Sequence, residues 1–316
     1  MSGSRYTPHI FLLVSSLIFG GSYVIAKGLM PDYFNPMQII LVRVSGSLLL
    51  FTLLVLVMKK AVPERRDMLR FLISGLLGVT INQTLFFVGL NLSRPVEASI
   101  IHTTSPVWVF LIALMGRTEK HSNRRMAGII LGLAGALWMV TGGGRTGLSN
   151  DYLNGNLILL GNIFSYSIYL VIVRPLTQKY HPFVVMQWVF LFGWLGALPF
   201  CFNSFSGWDI AVMDTYAWFA ISYVVIGATF LAFLLVVAGL QRLQSSTAAY
   251  YNYLQPLIAA VLAWSWRGEK LSYVHAVAAL LIFTGVYLIV RPAGQGNFTA
   301  GGRSILFRTK HSRAGK

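Results

Sequence analysis

The sequence predicts an all-α integral membrane protein: ten transmembrane helices arranged as two inverted five-helix repeats around a central cavity. Three observations predict it. The chain of 316 residues is 56% hydrophobic and only 11% charged, against about 25% charged in an ordinary soluble domain, and its mean hydropathy is +0.67. The apolar residues fall into runs near the 20 residues that a helix needs to cross a bilayer. One such run, Glu97 to Lys120, recurs 150 residues later as Thr247 to Lys270.

The runs occupy roughly 9–29, 36–58, 69–90, 95–115, 124–140, 155–174, 183–202, 217–240, 246–266 and 272–290. Turn-formers and charges separate them: Pro31-Asp32 and Asn35-Pro36, then Lys59 to Asp67, Gly142 to Gly144, His181-Pro182, and Asn203 to Asp214. The first run has the look of a secretory signal, but no small-residue cleavage site follows. It also recurs as a repeat unit, so it is expected to stay as the first helix.

The two versions of the opening run share their landmarks. Pro256 falls under Pro106, Glu269 under Glu119, Lys270 under Lys120, and Asn252 under His102. The match extends over residues 71–140 on 221–290, and, at an offset of 146, over 11–36 on 157–182. In the latter, Tyr23 falls on Tyr169, Ser16 on Asn162 and Pro36 on Pro182. Each half, 9–140 and 155–290, therefore holds five helices. An odd number inverts the second half, a plan of secondary transporters whose site lies where the halves meet. An external linker, 141–154, joins them.

Charge sets the expected orientation. The net charge of +16 would point to nucleic acid in a soluble protein, but here the basic residues sit between apolar runs, and no nucleic-acid partner is expected. With the N-terminus inside, nineteen Lys and Arg lie in cytoplasmic segments and five outside, with Arg43 in a helix. Both termini, 1–8 and the basic tail 291–316, are thus expected in the cytoplasm of a cell carrying the protein in its plasma or inner membrane. The tail would be drawn to anionic lipid. The one cysteine, Cys201, excludes an internal disulfide. No metal spacing, cofactor motif, HExxH or GxSxG is present, and an enzyme is not expected.

With these motifs in hand, the chain resembles the drug/metabolite transporter superfamily, in particular its EamA-type ten-helix members. The resemblance is carried by Asn91-Leu-Ser-Arg-Pro-Val-Glu-Ala-Ser with Ser105-Pro106 and Glu119-Lys120. In the second half it is carried by Leu240-Gln-Arg-Leu-Gln-Ser-Ser-Thr-Ala-Ala with Gln255-Pro256 and Gly268-Glu269-Lys270. Arg43, in Ile39-Ile-Leu-Val-Arg, matches an arginine of the family's second helix. The resemblance covers about residues 9–290 and implies a plasma-membrane carrier, often an exporter of amino acids or related metabolites. One departure is Arg117-Thr118-Glu119, which lacks the glycine found before Glu269.

The candidate site follows from polarity at helix depth. A proline inside a helix removes an N–H and clashes with the carbonyl four residues back. For Pro106 and Pro256 those residues are His102 and Asn252, and a freed carbonyl in hydrocarbon must face protein or a wet cavity. Ser16 and Tyr23 in the first helix join this set, as do Asn82, Gln83 and Phe86 in the third. Asn162, Tyr166 and Tyr169 in the sixth and Tyr250 and Gln255 in the ninth complete it. Together they suit a neutral or zwitterionic small molecule with an apolar or aromatic part. Interhelical hydrogen bonding is the alternative for each. Arg43 and Glu97 are close enough in depth to pair as an outer latch, and Arg43 alone could attract a carboxylate or snorkel. Glu119 and Glu269 read as structural corners. Glu97 and His102 are the candidates for proton coupling, with no coupling at all as the alternative. Beyond substrate and lipid, the expected association is a monomer or weak homodimer.

Overall fold

Lipid offers no hydrogen bonds, so each apolar run must satisfy its own backbone, and it does so as helix. The computed structural model describes residues 6–60, 62–93, 98, 101–119, 122–140, 152–205, 210–255, 257–258, 261 and 273–290. These residues are helical apart from short connections, with no strand among them. Six stretches are long and apolar enough to cross a membrane: Thr7–Gly28, Pro36–Val57, Arg65–Asn91, Leu153–Lys179, Pro182–Ser204 and Thr215–Leu240. Leu13, Leu17, Leu53, Leu157, Phe219 and Phe283 stand exposed on the outer surface. Such an apolar exterior suits lipid and not water, and the chain is a multi-pass membrane protein.

The elements are α1 (Thr7–Gly28), α2 (Pro36–Val57), α3 (Arg65–Asn91), α4 (Ser105–Met115) and α5 (Asn123–Val140) in the first half. The second half has α6 (Leu153–Lys179), α7 (Pro182–Cys201) and α8 (Thr215–Leu240). It continues with α9 (Ser245–Tyr250, tightening into a 3-10 turn at Tyr251–Tyr253) and α10 (Tyr273–Val290). Their starts follow local chemistry. Asn35 and Gln38 form a reciprocal capping box ahead of Pro36, with bonds of 2.9 and 2.8 Å. Asp214 caps α8 by accepting the Ala217 N–H at 2.7 Å. Its carboxyl is held below the ordinary aspartate range, first by that N–H and then by the Tyr33 hydroxyl. Arg117 sits in the left-handed region, φ 52°, and ends α4 much as a glycine would.

α3 and α8 each contain a widened π turn, at Leu76–Ile81 and Tyr223–Leu231. These turns rotate the helices and free carbonyls for side chains elsewhere. Ser165 donates to the Leu77 carbonyl at 2.7 Å, and Thr229 donates to that of Val224 at 2.6 Å. The packing pairs α1 with α8, α3 with α6, α2 with both α7 and α8, and α3 with α7. α5 and α10 pack along each other. Basic side chains close two helix ends. Lys27 of α1 donates to the carbonyls of Leu90 and Asn91 at the end of α3, both at 2.9 Å, and Arg174 of α6 donates to Leu243 just past α8, also at 2.9 Å.

Helices α5 and α10 approach closely because glycines face each other's backbone. A Cβ on Gly135 would stand 3.0 Å from the Ala278 carbonyl oxygen, and one on Gly285 would stand 2.8 Å from that of Gly128. Backbone cannot yield as a flexible side chain can. Gly285→Ala is therefore expected to cost about 1–3 kcal/mol. Gly161→Ala meets only an ordinary 3.4 Å contact with Leu85 and is expected to stay within about 1 kcal/mol of the parent. Thermal unfolding of the purified protein in detergent separates the two.

Candidate functional site

α1 to α4 and α6, α8 and α9 surround one cavity of about 590 Å³, its mouth included. Of the residues expected to form a site, Tyr23, Asn82, Gln83, Phe86, His102, Asn162, Tyr166, Asn252 and Gln255 line it, and Arg43 joins them.

Both broken helices present polar groups to this space. The break in α4 is not the kink expected from Pro106. The chain turns at Thr103–Thr104, and α4 restarts at Ser105 with Pro106 in its first turn, where a missing N–H costs nothing. The Ile101 carbonyl accepts both the Thr104 N–H, at 3.0 Å, and the Thr104 hydroxyl, at 2.7 Å. In α9 the winding changes at Tyr251–Tyr253, ahead of Gln255. Pro256 lies outside the described residues, as do Glu97 and Glu269.

A chain of hydrogen bonds joins the two breaks. The Tyr23 hydroxyl donates to Gln255 Oε1 at 2.8 Å, Gln255 Nε2 to Asn252 Oδ1 at 3.2 Å, and Asn252 Nδ2 to Ser105 Oγ at 3.3 Å. Across the cavity, Asn162 Nδ2 donates to the Asn82 carbonyl at 2.7 Å, and Asn82 Nδ2 returns a longer bond of 3.4 Å to that of Asn162. His102 stands edge-on between two rings, 5.4 Å from Tyr23 and 5.6 Å from Phe86. His102 and Asn162 stand against each other on the wall, and His102 Nε2 and Asn162 Oδ1 have no other hydrogen-bond partner among the described residues.

Arg43 is 4% exposed. Its Nε donates to Thr229 Oγ1 at 2.7 Å, and its guanidinium carbon lies 4.9 Å from the centre of the Phe87 ring. The π turn of α8 is what places Thr229 here. Among the described residues Arg43 has no ion-pair partner, so the expected pairing with Glu97 falls outside what is described.

Three expected residues are not on the cavity lining. Tyr169 turns its ring under the π turn of α3, where Gly78 leaves room; a Cβ there would stand 2.3 Å from the ring. Tyr250 donates to the Arg125 carbonyl at 3.2 Å and packs on Tyr253. Ser16 is buried within α1 and is absent from the lining. The spacing of Asn162, Tyr166 and Tyr169 placed all three on one face, but Tyr169 belongs to the helix contact beside it.

Phe19, Ser22, Ala26, Phe87, Val224, Ala228 and Phe233 also line the cavity. Phe19 and Ala26 follow from Tyr23 at helical spacing on one face. Val224 and Ala228 sit in a π turn, which no side-chain period announces. Glu119 differs from its expected role as a local corner. Its carboxylate is buried and accepts the N–H of Ser246, at 3.1 Å, and the Ser246 hydroxyl, which places it on the first turn of α9. Arg125 approaches it at 3.5 Å.

A multi-pass helical protein whose helices enclose one polar and aromatic cavity has the architecture of a membrane transporter. The profile of the EamA-like transporter family matches this chain twice, over residues 7–141 and 153–291, and the chain belongs to that family. An uncharacterized transporter of Archaeoglobus fulgidus is 27% identical, covering 89% of this chain and 96% of its own. The Arabidopsis thaliana protein WALLS ARE THIN 1 is 24% identical over 89% of this chain and 82% of its own. A solved crystal structure shares the fold with a TM-score of 0.71 at 20% identity, covering 90% of this chain and 98% of that one.

The bridge between the breaks is open to measurement. A double-mutant cycle of Tyr23→Phe and Gln255→Met, read by thermal unfolding, is expected to give a coupling energy of about 0.5–2 kcal/mol. Additive effects would mean that the bond holds nothing together.

Proposed function

We propose that this protein is a secondary-active transporter that moves small organic metabolites, amino-acid-like or aromatic, across the cell membrane by alternating access. Export is the direction that the family resemblance implies. The observation that carries the reading is the cavity lined by both halves of the chain at their broken helices.

Two inverted five-helix repeats, ten crossings in all, give that cavity its mechanism. Several features support this arrangement. The family profile matches each half separately. The π turn at Leu76–Ile81, moved by 150 residues, falls within Tyr223–Leu231. Lys27 closes the end of α3 as Arg174 closes that of α8, and the backbone contacts of Gly135 and Gly285 mirror each other across α5 and α10. The Lys and Arg distribution supports cytoplasmic termini. On that orientation Glu119, tied to the first turn of α9, is a latch on the cytoplasmic side. Its counterpart Glu269 would serve the other side in the opposite state.

A facilitative uniporter or exchanger is the second reading. It is favoured by one observation: no Asp or Glu is among the described residues lining the cavity. In the coupled reading His102 is the proton carrier, since it lines the cavity and is the titratable imidazole there.

In proteoliposomes the protein is expected to give saturable counterflow of a labelled metabolite, whereas single-channel currents in a planar bilayer would overturn the carrier reading. His102→Asn is expected to abolish dependence on a pH gradient, and unchanged dependence would remove His102 from the coupling. Glu119→Gln is expected to weaken the latch by about 1–3 kcal/mol. In a Cys201→Ala, Ser22→Cys background, that change should raise alkylation by a cytoplasmic-side reagent about tenfold.

A further inference from the structure

Among the described residues of the cavity wall Arg43 is the one charged side chain, and no described Asp or Glu pairs with it. Arg43 commits Nε to Thr229 and a π face to Phe87. Its two terminal nitrogens make no hydrogen bond to a described residue. A guanidinium fork with both terminal groups free matches a carboxylate in geometry and charge. Burying such a cation without a counterion is costly, and an anion entering the site would offset that cost. No Asp or Glu is among the described residues that line the cavity, so none of these receives an ammonium group. A second cation would also face Arg43 in a medium where charges are poorly screened.

The remaining wall is aromatic. Phe19 and Phe233 meet edge to face at 5.7 Å, and Tyr23, Phe86 and His102 form a three-ring corner. Asn162, 1% exposed, stands against His102 on the same wall. We propose that the solute is an aromatic monocarboxylate of net charge −1. Its carboxylate sits on the Arg43 fork and its ring lies in the aromatic corner. This narrows the amino-acid-like or aromatic class above to anions and excludes the zwitterion. It rests on the reading of the cavity as the transport site.

Four probes on one carbon skeleton test it: 3-phenylpropionate (−1), 3-phenylpropionamide (neutral), phenethylamine (+1) and L-phenylalanine (zwitterion). Binding of each to the purified full-length protein in nanodiscs is read by titration calorimetry. The propionate is expected to bind at least about tenfold tighter than each of the other three, the scale of one charge-assisted fork. Arg43→Gln is expected to bring propionate and amide within about threefold of each other, with Arg43→Lys in between. Equal or tighter binding of phenethylamine or phenylalanine overturns the proposal, as does failure of all four to bind at millimolar concentration. The wild-type ratios decide the question even where a variant fails to fold. Counterflow keeps the two readings apart: anion-selective binding without counterflow removes the transport reading and leaves this one standing. Counterflow of phenylalanine in preference to the propionate does the reverse.

Discussion

In a bilayer a polar group has no solvent to fall back on, so every hydrogen bond missing from a helix must be replaced by another part of the protein or by a filled cavity. The rest of this structure depends on that constraint. Among the described residues it keeps the apolar runs helical apart from brief interruptions. Where the helices are interrupted, it dictates what stands beside the interruption. The π turns of α3 and α8 expose carbonyls, and hydroxyls of Ser165 and Thr229 meet them. The break before Pro106 exposes the Ile101 carbonyl, and Thr104 covers it with two donors. The ends of α3 and α8 are met by Lys27 and Arg174 from the neighbouring helix.

Most buried polar groups here are matched. Of the unmatched atoms, His102 Nε2 and Asn162 Oδ1 border the cavity, as does the guanidinium of Arg43, whereas Ser74 Oγ, Thr84 Oγ1, the Tyr169 hydroxyl and Gln244 Oε1 lie off it. A hydrogen-bonded relay from Tyr23 through Gln255 and Asn252 to Ser105 links α1, α9 and α4 across it. Movement of either broken helix must therefore alter the wall that a solute touches. Glu119 adds a second tie between the same two broken helices, outside the cavity, where a carboxylate from the end of α4 meets the first turn of α9.

Much of this was legible in the residues. Apolar run length located the long helices to within a few residues, apart from α6, which runs on to Lys179 through Pro175. Asn, Gln, His and Tyr at helix depth located eight of the cavity residues, because polar side chains in lipid have few other places to go. What was not legible depended on the rotation of one helix against another. Tyr169 was assigned to the cavity by spacing alone, but the space under Gly78 took it. Thr229 gave no sign of its role because a π turn shifts the register of everything after it. Glu119 looked local because its nearest sequence neighbours form a helix start. Its partner lies more than a hundred residues away, at Ser246.

The buried guanidinium of Arg43, without a counterion among the described residues, also has an electrical meaning. One elementary charge carried through the full membrane potential is worth about 2.3 kcal/mol per 100 mV. A site bearing +1 that accepts a −1 solute crosses the field as a neutral unit, and only the empty site carries charge on its way back. For such a carrier the membrane potential would bear on the return of the unloaded protein, leaving the loaded step indifferent to voltage.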